Sequence, residues 1–134
     1  MSARGLLIQG LRFLAPAEAR QALEEGALLV DLRDEDLVAM KRFAVEEVLF
    51  LPHRELPGRL PDLPRDRTLL LADTSGVFIR PAAALLAADG FTDLLCLNGG
   101  MLAWDLAGLP VATDPEALLQ GECACVMKNR KAPR

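Results

Sequence analysis

A chain of 134 residues, 51% hydrophobic and 25% charged, is long and apolar enough for one domain with its own core, which excludes extensive disorder. No apolar run approaches the roughly 20 residues that cross a bilayer, and the opening MSARGLLIQG has too short an apolar stretch for a signal peptide. The formal net charge of −4 hides an asymmetry: Lys128, Arg130, Lys131 and Arg134 face only Glu122 at the C-terminal end, leaving an acidic body that is a poor partner for nucleic acid. A soluble cytoplasmic protein that engages no membrane is the expectation. The three cysteines, an odd number, do not form a secreted disulfide framework. With no tyrosine and one tryptophan, the core must be built from Leu, Ala and Val.

Taken in order, residues 6–14 contain an apolar stretch suited to an edge strand. Pro16 then stands at a helix N1 position, and PAEARQALEEG reads as a helix ending at Gly26 with Ala19, Ala22 and Leu23 on its apolar face. The run ALLVDL (27–32) is a buried strand with Asp31 and Arg33 at its C-terminal end, the end where open α/β sheets place their functional crevice. An ion pair between the two, or an N-cap for a helix DEDLVAMKRF, is the structural alternative. VLFL (48–51) is the next strand, and Pro52, Pro57, Pro61 and Pro64 stiffen the connection that follows around a one-turn helix near residues 55–60. His53, the only histidine, falls in that connection and reads as a surface-loop residue.

LLLADTSGVFIR (69–80) organises the rest of the chain. A buried strand runs through a glycine-containing turn into an alanine-rich helix from Pro81, so several backbone N–H groups and the helix dipole converge on one anion-favouring spot. Asp73 stands at the entry to that loop. LLCL (94–97) is a fifth strand with Cys96 as inert packing, Asn98-Gly99-Gly100 turns the chain, and MLAWDLAG forms a helix that lays Trp104 on the sheet. Thr113-Asp114-Pro115-Glu116 then offers an N-cap for a short helix to Gln120. Alternating strands and helices select an α/β fold with a mainly parallel sheet.

These segments together resemble the rhodanese-like family over roughly residues 11–111. The resemblance is carried by DLRDED, LLLADTSG and above all GFTDLLCLNGGMLAWDLAGLPV, in which the Gly-Phe turn, double glycine, tryptophan and Gly-Leu-Pro exit keep the family's spacing. It implies about five mainly parallel strands with helices on both faces, a rhodanese-like domain over 1–112, and an appended short helix and basic tail over 113–134. Active members carry Cys-x-x-Gly-x-Arg or a near variant in the loop, where the cysteine holds a sulfane sulfur as a persulfide. The matching positions here are Asp73, Thr74, Ser75, Gly76, Val77 and Phe78, so Gly76 is kept while the nucleophile and the arginine are not. Asp31 and Arg33 match the family's Asp-x-Arg, and the family's Gly-His-Ile-Pro-Gly-Ala segment is degraded to KRFAVE.

Three functions follow. A non-catalytic rhodanese-like module, binding or regulatory, would lack sulfur transfer at this loop because a carboxylate cannot attack sulfur to form a persulfide; Asp73 would then stiffen the loop or meet a cationic partner group. A sulfurtransferase, sulfur carrier or thiol-redox protein would instead use Cys123 and Cys125, whose cationic neighbours favour thiolate. Phosphoryl transfer with Asp73 as nucleophile lacks a second carboxylate at fixed spacing for magnesium. No cofactor and no metal are expected, the partner is an unidentified protein or small molecule, and the chain is a monomer or homodimer.

Overall fold

Apolar runs only four residues long make the centre of the sheet because both of its faces are covered, and every side chain of 28–31 and 69–72 is buried. The computed structural model describes residues 5–8 and 11–113. Strands β1 (Leu6–Ile8) and β2 (Leu11–Leu14) are followed by helix α1 (Pro16–Glu24), β3 (Leu28–Asp31), α2 (Glu35–Met40), β4 (Lys41–Phe43) and β5 (Val48–Phe50). After helix α3 (Leu56–Arg59) come β6 (Leu69–Ala72), α4 (Ile79–Ala88), β7 (Leu94–Leu97), α5 (Gly100–Leu106) and β8 (Val111–Thr113). The main sheet has the order β1-β2-β7-β6-β3-β5, and its five strands from β2 to β5 pair in parallel.

Alternation divides the core into two layers. Val30, Leu69, Leu71 and Cys96 point to one face, where Ile79, Ala83 and Leu86 of α4 and Leu56 of α3 cover them. Leu29, Leu70, Ala72 and Leu97 point to the other, against Ala19 and Ala22 of α1 and Met101 and Trp104 of α5. Trp104 is fully buried on the sheet, as expected from the sequence, and its Nε1–H donates to the Pro110 carbonyl at 2.8 Å. Phe43 meets its ring edge-on at 5.3 Å.

Two local expectations are corrected. The apolar stretch at 6–14 divides into an antiparallel pair, with β1 at the edge and β2 inside the sheet because β7 takes its other side. The helix expected over DEDLVAMKRF stops at Met40, and Lys41–Phe43 extends to pair antiparallel with β8. Burial of Phe43 against Trp104 and a ladder partner in β8 together outweigh the helical tendency of so short a segment. β8 itself runs through Thr113, which is therefore the end of a strand; the short helix expected to Gln120 lies outside the described residues.

Leu70→Ala removes a fully buried side chain from the centre of the sheet and should cost about 2–5 kcal/mol in chemical denaturation, whereas Leu102→Ala on the exposed face of α5 should stay within about 0.5 kcal/mol of the parent. Equal effects would contradict the layering.

Candidate functional site

The loop after β6 is built by two sets of hydrogen bonds with Asp73 at their junction. Its carboxylate is 1% exposed and turns inward, where Oδ1 accepts the Gly76 N–H at 2.6 Å and Oδ2 accepts the Phe78 N–H at 2.7 Å. These charge-assisted bonds satisfy amides that would otherwise converge on an empty centre. On the backbone side, the carbonyls of Asp73 and Thr74 accept the N–H groups of Met101 and Leu102 at 2.8 and 3.0 Å. Loop carbonyls thus cap the first turn of α5, whose N–H groups have no partner within the helix.

Glycine makes both contacts possible. Gly76 has φ +103°, in the left-handed region, at the point where the loop folds its amide back toward Asp73. Gly100 has φ +62°, and a Cβ there would lie 2.5 Å from the Asp73 carbonyl oxygen and 2.6 Å from the Thr74 carbonyl carbon. The double glycine in the sequence therefore holds α5 directly against the loop.

The outer side of the loop is apolar. Ser75, Val77 and Phe78 are exposed, with Val77 at 68% and Phe78 at 44%. The His53 imidazole stacks on the Phe78 ring, centroids 3.8 Å apart and planes within 10°. His53 sits in a turn that follows Pro52, and its N–H donates to the Leu32 carbonyl at 2.9 Å, which anchors it to the C-terminal end of β3. The sequence reading placed His53 in a surface loop and missed this stack. Nothing in local spacing signals it, since the two rings are brought together by neighbouring strand ends.

Asp31 and Arg33 form the ion pair that the sequence allowed. Asp31 Oδ1 accepts the Arg33 backbone N–H at 3.1 Å and its Nε–H at 2.9 Å, while Oδ2 accepts from an NH2 group at 2.8 Å. Both side chains are buried, and the guanidinium lies 5.1 Å from the Phe43 ring centroid. The pair stands at the C-terminal end of β3 next to the Asp73 loop, since Asp31 is in register with Ala72. Its fork-to-fork geometry commits the guanidinium to Asp31.

Cys96 is fully buried in β7, as expected for packing. Burial pushes its thiol up to about 12, the negative charge of Asp73 pushes in the same direction, and Arg80 opposes both. Cys123 and Cys125 lie outside the described residues. Among the described residues no group of three or more His, Cys, Asp or Glu side chains could hold a metal ion, and no helix is long and apolar enough to cross a membrane.

The chain is thus a parallel α/β sheet whose strand β6 enters a tight loop at the start of α4, with the Gly76 and Phe78 amides turned toward Asp73. The sequence model of the rhodanese-like domain matches residues 15–107. A sulfurtransferase from Allochromatium vinosum is 35% identical over 92 residues, which span 69% of this chain and 84% of that protein. A thiosulfate sulfurtransferase GlpE from Pseudomonas syringae is 30% identical over 107 residues, spanning 79% and 93%. Among solved structures, a rhodanese-related protein from Thermoplasma volcanium superposes with a TM-score of 0.68 at 18% identity, covering 83% of this chain and 99% of that one. The chain belongs to the rhodanese-like family.

Two predictions come from this geometry. Asp73→Ala leaves two loop N–H groups without their acceptor and should cost about 1–3 kcal/mol for each that stays buried, with the circular dichroism of the folded domain retained. Loss of folding would make Asp73 a requirement of the fold. The Cys96 thiol, neutral in the folded state up to about 12, loses its proton earlier once unfolded, near the ordinary value of 9.0. Its contribution is therefore fully present below about pH 9 and is lost as pH rises toward 12. Urea midpoints measured across that range should fall less steeply in Cys96→Ala than in the parent.

Proposed function

We propose that this chain is a non-catalytic rhodanese-like module, a binding or regulatory unit without thiosulfate sulfurtransferase activity at the usual loop. One observation carries the reading: the Asp73 carboxylate stands where the family resemblance places the persulfide-bearing cysteine, and it takes the Gly76 and Phe78 amides for itself. Sulfur transfer needs a thiolate that attacks sulfur, and an oxygen nucleophile cannot form the persulfide. Phe78 occupies the position of the family's loop arginine, so the loop also lacks the cation that would draw in an anionic sulfur donor.

With its carboxylate turned inward, Asp73 serves loop rigidity and not a cationic partner group. Recognition falls to the outer side, where Val77 and Phe78 are exposed and His53 backs the Phe78 ring. Such a rigid apolar tip suits a protein partner. The module corresponds to residues 1–112, with 113–134 as an appended segment, and we place it in the cytoplasm, where its thiols stay reduced.

The full chain should release no thiocyanate from thiosulfate and cyanide above background, in parallel with a curated relative that does. Turnover abolished by Cys123→Ser with Cys125→Ser would move the activity to the tail thiols. Turnover that survives both substitutions and disappears in Asp73→Ala would overturn the reading of the loop.

A further inference from the structure

The groove beside α2 has no role in the loop. It holds about 830 Å³, within the size range of small-molecule sites. Its apolar lining comes from Val38 and Ala39 of α2, from Phe50 at the end of β5 and from Pro52. Arginines and carboxylates complete it in equal number, and some of these are already matched. Arg33 is committed to Asp31, while Arg59 holds both Glu55 and Asp62. Among the described residues, that leaves three lining charges without an ion-pair partner: Arg42, which is half-buried, and the exposed Glu35 and Asp36.

Their placement separates the two signs. Glu35 and Asp36 form the first turn of α2, and Arg42 follows its last residue, Met40, in β4. Between them, Val38 and Ala39 stand three and four residues after Glu35, on the same face of the helix. A helix of six residues is about 9 Å long, so the unmatched acids and the unmatched cation lie at opposite ends of a short apolar track. A simple anion drawn to Arg42 would face the two carboxylates, and a simple cation drawn to them would face the guanidinium. Both are disfavoured by the charge at the far end. A molecule with one charge of each sign and an apolar middle satisfies every group.

We propose that this groove binds a small zwitterion with an apolar body, a peptide of about three residues with free ends, whose extended length of about 10 Å matches the track. Its carboxylate accepts from the fork of N–H donors on Arg42. Its ammonium donates to Glu35 and Asp36, and its side chains rest on Val38, Ala39 and Phe50. The site is separate from the Asp73 loop, and its failure would leave the reading of that loop standing.

Titrating the tripeptide Ala-Leu-Ala into the 15N-labelled full chain at about pH 7, where both peptide ends are charged, tests the proposal. The amide resonances of Val38, Ala39, Arg42 and Phe50 should shift and saturate, with a Kd on the order of 1 mM for so small a ligand. Acetylating the amino end or amidating the carboxyl end should each weaken binding several-fold. Arg42→Gln should weaken the free tripeptide several-fold and leave the amidated form unchanged, while Glu35→Gln with Asp36→Asn should do the same for the free and acetylated forms. These pairings separate contact with the charged ends from a general change in the groove. Absence of saturable shifts well above that concentration would overturn the proposal. Equal binding of the doubly blocked peptide would also overturn it, by assigning the groove to the interior of a longer chain.

Discussion

A loop that gathers its N–H groups at one point needs an anion there, and in this protein the chain supplies its own. The Asp73 carboxylate accepts from Gly76 and Phe78 while the Asp73 carbonyl accepts from Met101, so one residue closes the loop on itself and ties it to α5. Buried amides left without acceptors cost more than most single contacts contribute, which makes this residue the keystone of the strand ends. The same carboxylate that stabilises the loop engages two of its donors, the Gly76 and Phe78 N–H groups.

The fold delivers that loop through ordinary layering. Leu69 and Leu71 pack toward α4 while Leu70 and Ala72 pack toward α5, so β6 is gripped on both faces up to the residue before Asp73. Gly100 then lets α5 approach the loop backbone more closely than any side chain would permit. Beyond β3, the Asp31–Arg33 pair is buried and linked through Phe43 to Trp104 and the β4–β8 ribbon. A buried pair of this kind is weak support for stability in itself but costly to break from one side, so it fixes the geometry of the neighbouring strand end.

Much of this was legible in the residues. The strands around LLVD, LLLA and LLCL were readable because a sheet covered on both faces demands continuous apolar runs, and the double glycine and Trp104 marked the α5 junction. The unusual carboxylate at position 73 was readable too. Its inward direction was not, since sequence gives the residue at a loop position and says nothing of which amides its side chain will find. The β4–β8 ribbon, the His53–Phe78 stack and the groove beside α2 were likewise hidden. Each joins residues far apart in the chain, and no local period or cap encodes such meetings.

The central claim is that Asp73 fills the cradle that an anion would otherwise enter. Titrating thiosulfate into the 15N-labelled full chain, against sodium chloride at matched ionic strength, reads the cradle directly through the amide resonances of Gly76 and Phe78. The account predicts that both stay where they are up to tens of millimolar thiosulfate, because their donors are already engaged. A saturable shift of these two resonances would contradict it, showing that the loop still opens to receive an anion.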